Sequence, residues 1–252
     1  MELNAASLID DTALRVQFDN LRIWDISDLP LPSAEAAPAP SPGGQVRAFA
    51  EPILTALGDR TPDYADAFTN PDSGWSVGQN AGWSARYEDE AYILEALPEA
   101  SASGHWLTLP PLQDFVLETE TQQLSGRQGD WAILLRYTEV QENGNGLCAI
   151  TFGPDGQVGM VCCLDDYCPL GADVPPQFVN PFDQVNRVTI IARGPQIAVA
   201  VNDHWSMLET DPFYNVRSPQ VRLALGLSNL AETGDTPFRV RWDNLKIWDI
   251  SD

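Results

Sequence analysis

From Asp63 onward, apolar residues alternate with polar ones in short runs separated by turn-forming residues. This is the period-2 pattern of strands that bury one face. It predicts strands at Trp83–Tyr87, Ala91–Leu97, His105–Leu109, Phe115–Gln122, Trp131–Val140, Leu147–Phe152 and Val158–Leu164. Five more follow at Arg187–Arg193, Ile197–Val201, Trp205–Leu208, Val221–Leu227 and Phe238–Trp248. Gly153-Pro154-Asp155-Gly156 marks a hairpin, while Gly194-Pro195 and Asn202-Asp203 mark two further turns. About a dozen strands with closely spaced turns, and no strand–helix alternation, predict an all-β fold of two antiparallel sheets. Val46–Leu57 departs from this pattern: its apolar residues recur at helical spacing around Pro52, which predicts a short helix or turn against the sandwich.

One strand occurs twice. Leu14–Asp28 (LRVQFDNLRIWDISD) matches Phe238–Asp252 (FRVRWDNLKIWDISD) at eleven of fifteen positions. The four exceptions are Leu14/Phe238, Gln17/Arg241, Phe18/Trp242 and Arg22/Lys246. Self-similarity of this kind signals an array or a duplicated module, here the end of one copy followed by a complete copy. Between them, Leu29–Gly44 (LPLPSAEAAPAPSPGG) is too poor in large apolar residues to pack a core and reads as an extended linker. The organisation expected is therefore a closing or donor strand over 1–28, a Pro/Ala-rich linker over 29–44, and the sandwich over 45–252. A detached strand keeps its apolar side chains (Leu14, Val16, Phe18, Leu21, Ile23 and Trp24) and its unpaired backbone, which favours strand addition to a neighbouring copy or a swap. The opening residues lack the basic and apolar regions of a signal peptide, and the duplication favours a chain cut from a longer array.

Charge narrows the partners. The formal net charge is −22, from 36 acidic against 14 basic residues, with Lys246 the single lysine. Phosphate recognition needs clustered Lys and Arg, so nucleic acid is not an expected partner. No run is long and apolar enough for a transmembrane helix. The acidic residues follow no calcium-loop spacing, so no cofactor is implied and calcium is left open.

With those strands in place, the chain resembles the concanavalin A-like jelly rolls, and more narrowly the laminin G-like and 3-keto-disaccharide hydrolase group. The resemblance covers about residues 60 to 252. Pro62–Phe68 with Ser73-Gly74-Trp75, Trp131–Arg136, Asn186–Ile190 with Val199–Asn202, and Trp242–Leu245 carry it. It implies a two-sheet antiparallel jelly roll, to which the chain adds its N-terminal strand, Pro-rich linker and short helix. These motifs are structural, and a fold does not by itself specify an activity. Asp165–Phe182, with Cys168 and its prolines, departs from the group's pattern. Laminarinase-type members of the superfamily carry their carboxylates as E-x-D-x-x-E, a signature absent here.

Four cysteines carry the most readable chemistry. A hairpin tip at Gly153–Gly156 sets Cys148 opposite Cys162 and turns Cys163 to the other face, within reach of Cys168. The pairs expected are Cys148–Cys162 and Cys163–Cys168, with Cys148–Cys163 as the competing register and four free thiols as the plain alternative. Two disulfides imply an oxidising, extracellular or cell-surface location. A zinc site would have only His105 and His204 to add and lacks CxxC spacing, so no metal site is expected. No catalytic set is expected either. Glu88-Asp89-Glu90 reads as a solvated turn. Glu118 and Glu120 share one strand face, and a hairpin through Gly126–Gly129 would bring Arg136 opposite or diagonal to Glu118. That makes either a polar patch for a sugar or a plain cross-strand ion pair. Trp106 and Trp205 are the tryptophans expected to be exposed for glycan stacking, while Trp131, Trp242 and Trp248 are expected to be core. The leading expectation is thus a non-enzymatic extracellular module of a repetitive surface or filament-like protein, contacting copies of itself through the N-terminal strand. A carbohydrate-binding module for cell-surface glycans is the alternative, and a keto-glycoside hydrolase a more distant one.

Overall fold

The computed structural model describes residues 42–96, 103–106, 112–126, 129–138, 146–153, 156–164, 168, 170–174, 176–215, 222–229 and 236–251. The N-terminal strand with Leu14–Trp24, and nearly all of the Pro-rich linker, lie outside the described residues. In chain order the elements are α1 (Pro42–Leu57), β1 (Tyr64–Asp66), β2 (Gly78–Gln79), β3 (Trp83–Glu88), β4 (Ala91–Ala96), β5 (Ser103–Trp106), β6 (Phe115–Ser125) and β7 (Gly129–Thr138). There follow β8 (Gly146–Phe152), β9 (Val158–Leu164), β10 (Leu170–Val174), a short 3-10 turn at Pro176–Phe178, β11 (Asn186–Arg193), β12 (Gln196–Val201), β13 (His204–Thr210), β14 (Arg222–Asn229) and β15 (Phe238–Asp249).

Two antiparallel sheets result. The first has the order β13-β12-β11-β6-β15-β4-β3-β2, with β1 pairing the second half of β15; the other has the order β10-β9-β8-β7-β14-β5. Alternation sends one face of each strand inward. Leu117 and Ile190 of the first sheet meet Trp131, Ile133, Leu135, Ile150 and Met160 of the second in one core. Trp131 stacks on Phe152 at 5.4 Å between ring centroids. The hairpin of β8 and β9 pairs Cys148 with Cys162, and the two are bonded; Cys163 is bonded to Cys168.

The helix is longer than the sequence pattern predicts, with Pro52 in its interior. Its apolar stripe (Val46, Ala50, Ile53) covers the outer face of the first sheet at Val116, Ile191, Ala198 and Trp248. This second layer corrects the expectation for Trp205. Its side chain is half-buried against the helix cluster rather than free for stacking, and Gly43 passes so close that an added Cβ would stand 3.1 Å from the Trp205 carbonyl.

A second correction concerns β6 and β7, which do not form a hairpin: β6 lies in the first sheet and β7 in the other. Gly126, at φ +75°, makes the crossing, and a Cβ there would come within 2.8 Å of the Phe238 Cα. Glu118 therefore pairs in register with Thr189 and Lys246 on the outside of the first sheet, and never meets Arg136.

Strand β15 has a local irregularity that matters below. Phe238, Val240 and Trp242 face the core; then the register shifts between Asp243 and Lys246, with Asn244 in the left-handed region at φ +50°. Beyond this bulge Leu245 and Ile247 take over the inward face, and Trp248 turns outward to the helix. One extra residue in a bulge produces such a change of face.

Candidate functional site

The residues expected to form one glycan-binding face are not brought together. Arg136, also at a left-handed φ (+52°), is buried at 2% exposure. Its guanidinium donates to the carbonyls of Gln113 and Gly194, pairs with Asp211 at 3.4 Å and Asp114 at 3.5 Å, and lies 4.8 Å from the centroid of the Tyr214 ring. It ties β7 to the start of β6, the β11–β12 turn and the end of β13, so it is not a surface ligand group. The carboxylate of Asp211 lies within 4.8 Å of the Cys148 and Cys162 sulfurs, but these are bonded to each other and form no metal site. Trp106 is in β5 as the register partner of Ala224; its side chain lies outside the described residues. His204 stacks on Phe178 at 4.4 Å and shares a hydrogen bond between Nδ1 and the Asn202 carbonyl.

A different constellation sits on the outer face of the first sheet, on the part that α1 leaves uncovered. The hairpin of β3 and β4 turns through Asp89 and Glu90, both at positive φ, which sets Ser84 opposite Glu95 and Arg86 opposite Ile93. Neighbouring β15 adds Arg239 beside Glu95 and Arg241 beside Ile93. A ladder of charges forms. Arg86 donates to Glu88 at 2.7 Å, to Ser84 Oγ at 2.7 Å and to Glu95 at 3.2 Å, while Arg239 reaches Glu88 at 2.9 Å and Glu95 at 3.3 Å. The Arg86 guanidinium donates a hydrogen bond to the Glu88 carboxyl and, with Arg239, holds it below its ordinary value against the opposing effect of burial.

Beside the ladder is a hollow of about 470 Å³ lined by Gly78, Gln79, Asn80, Trp83, Ser84, Ala85, Arg86 and Glu95. A methyl group at Gly78 would contact the Trp83 ring, which packs against the core, at 3.5 Å. Asn80 Oδ1 accepts from the backbone N–H groups of Gly82 and Trp83, which fixes the loop carrying its amide. A second hollow of about 230 Å³, lined by Glu120, Gln122, Val185, Arg241 and Asp243 among others, opens across β15. Val77 (59% exposed) adjoins the first and Val185 (44%) lines the second. The sequence reading missed this site. Its signal was the two-residue turn at Asp89–Glu90, which fixes the hairpin register and puts Ser84, Arg86, Glu88 and Glu95 on one face.

No family model and no curated protein sequence matches the chain. Its backbone is similar to that of several solved structures. A Bacillus licheniformis β-glucanase is 12% identical with a TM-score of 0.57, over 76% of this chain and 99% of that one. The catalytic domain of an endo-1,3-β-glucanase (laminarinase) from Thermotoga petrophila is 13% identical at 0.56, over 76% and 98%. A Bacillus subtilis protein with a galectin-like fold is 9% identical at 0.57, over 76% and 97%. The chain thus folds as a concanavalin A-like jelly-roll sandwich. At these identities the likeness establishes the fold alone, and a fold does not by itself specify an activity.

Proposed function

We propose that this protein is an extracellular, non-catalytic carbohydrate-binding module whose ligand lies along the outer face of the first sheet, from the hollow beside Ser84 and Arg86 across β4 and β15. The observation that carries this reading is the lining of the larger hollow. Two amides (Gln79 and Asn80), a hydroxyl (Ser84) and an arginine–carboxylate pair line it, beside the exposed Val77, the mixture of apolar surface and oriented polar groups that ligand sites use. Paired planar groups such as Arg86 and Glu95 suit the adjacent hydroxyls of a sugar, one donating and the other accepting. The distance from β3 to β6 is three strand spacings, about 15 Å, room for more than one sugar ring. A net charge of −22 disfavours sulfated or uronic glycans and favours neutral ones.

Binding without hydrolysis is supported by the state of the carboxylates. Glycoside cleavage needs a protonated acid of raised pKa facing a second carboxylate. Glu88 is shifted the opposite way, and Glu95 is shared between two arginines. The two disulfides fit an oxidising compartment. A glycan array probed with the full chain tests the reading. Binding to neutral glycans is expected, lost in Arg86→Ala and weakened in Gln79→Ala at unchanged thermal stability. No hits, or hits indifferent to both substitutions, would overturn it.

A second reading concerns assembly, and the repeated strand favours it. We infer that Leu14–Asp28 makes contacts between copies in a repetitive surface protein, because its sequence is that of a strand which, as β15, lies in the middle of a sheet. Light scattering on the full chain and on a form lacking residues 1–41 tests this: a fall in mass is expected, and equal monomers would refute it.

A further inference from the structure

We infer that residues 14–25 are a complete second closing strand, able to occupy the slot that β15 fills, in the same chain or in a second copy. This rests on the second reading above and goes further, because it names the slot.

The slot makes unusual demands. β15 pairs with β6 along its length, with β4 over Phe238–Trp242 and with β1 over Leu245–Ile247. Without it the first sheet would separate into two halves. An occupant needs inward apolar residues at the positions of 238, 240 and 242, then a bulge, then inward residues at 245 and 247. It also needs an outward indole at 248, whose Nε1 donates to the Arg60 carbonyl at 2.8 Å, and a residue at 249 whose N–H donates to Asp63. An ordinary alternating strand cannot satisfy this list, because its side chains do not change faces.

The N-terminal repeat satisfies it position by position. Leu14, Val16 and Phe18 correspond to the first inward set, and Asp19-Asn20 to the bulge pair Asp243-Asn244. Leu21 and Ile23 correspond to the second inward set, and Trp24-Asp25 to Trp248-Asp249. Asn is one of the few residues that tolerates the left-handed backbone needed at 244. Of the four differences, two fall on the surface and two replace a buried side chain by a smaller apolar one. Among the described residues the buried Trp242 Nε1 has no hydrogen-bond partner, so Phe18 would sacrifice no bond made to them. Lys246 is exposed, so Arg22 is equivalent there. Arg241 pairs with Asp243 of its own strand, so Gln17 costs only a surface ion pair. Leu14 is smaller than Phe238 and so cannot overfill its place beside Gly126.

Reach permits both arrangements. Trp248 packs on the same cluster as α1, whose 16 residues span about 24 Å. The segment 27–41 can extend to about 50 Å, enough to return to its own slot or to cross to a neighbour's.

Two experiments on the full chain decide it. In the first, β15 is disabled by Val240→Asp with Leu245→Asp, alone and together with Val16→Asp and Leu21→Asp. The expected result is a cooperative thermal transition in the β15-disabled chain, abolished when the N-terminal strand is disabled as well. Light scattering then reads whether the replacement occurs within one chain or between copies. Equal unfolding of both variants, or equal folding, would overturn the inference. The second converts β15 into its repeat with F238L, R241Q, W242F and K246R. This chain is expected to stay folded, and its failure to fold would show that the repeat cannot serve as a closing strand. If removing residues 1–41 lowers the mass but a disabled β15 is not rescued, the assembly reading stands and the slot assignment falls.

Discussion

The two arginine centres of the molecule contain the same chemical groups and have opposite consequences. At one end of the sandwich Arg136 is 2% exposed and held by Asp211, Asp114 and two backbone carbonyls, and the Asp211 carboxylate lies within 4.8 Å of the Cys148 and Cys162 sulfurs. On the outer face, the side chain of Arg86 is 36% exposed, and with Arg239 it shares Glu88 and Glu95 in a ladder open to solvent. Water decides the difference. A buried guanidinium has lost its hydration and depends on every partner it has, so the centre is rigid and unavailable. An exposed ladder is screened, contributes little to stability, and can exchange a partner for a ligand hydroxyl at low cost.

Breaking the buried centre should have the largest effect. Arg136→Met removes the buried guanidinium that pairs with Asp211 in the interior and is expected to cost about 3 to 5 kcal/mol in urea unfolding. Adding Asp211→Asn, which removes the carboxylate charge but keeps the acceptor for the Phe213 N–H, should recover part of the loss. A double mutant no better than the single would mean that Arg136 acts through packing rather than charge. Next in size are the bridges. Removing Cys148–Cys162, which closes a separation of 14 residues, should cost about 3 kcal/mol, and removing Cys163–Cys168, with a separation of 5, about 2 kcal/mol. Paired Cys→Ala variants compared by unfolding test that order.

The same contrast explains what was legible in the sequence. Wherever neighbours in space are close in sequence, pattern was enough: the Cys148/Cys162 register follows from a four-residue hairpin tip, and most strands of six or more residues follow from alternation. β1 and β2 escaped because two or three residues cannot display a period. Arg136 was misplaced because its surroundings are assembled from Gln113, Gly194 and Asp211, and because the crossing from β6 to β7 depends on Gly126 meeting Phe238. Trp205 was misjudged for a related reason. The helix could be read from its 3.6-residue stripe, but the face it would cover could not. In the ladder, the part made by one hairpin was within reach of sequence, and the part contributed by Arg239 was not.

The smallest effects belong to the exposed ladder, and they are the most specific. Glu88→Gln removes one rung and should cost less than about 1 kcal/mol at neutral pH. Because Glu88 titrates below its ordinary value of 4.5 in the folded chain, its contribution is present above that value and is lost as the pH falls through the folded pKa. The melting temperature of the unmodified chain should therefore fall more steeply on acidification than that of Glu88→Gln, with the two curves converging in acid. Salt should narrow the gap at neutral pH by screening. An identical pH dependence in both chains would mean that the ladder carries no net charge coupling. The contrast with Arg136, whose centre should be nearly indifferent to salt, would then rest on burial alone.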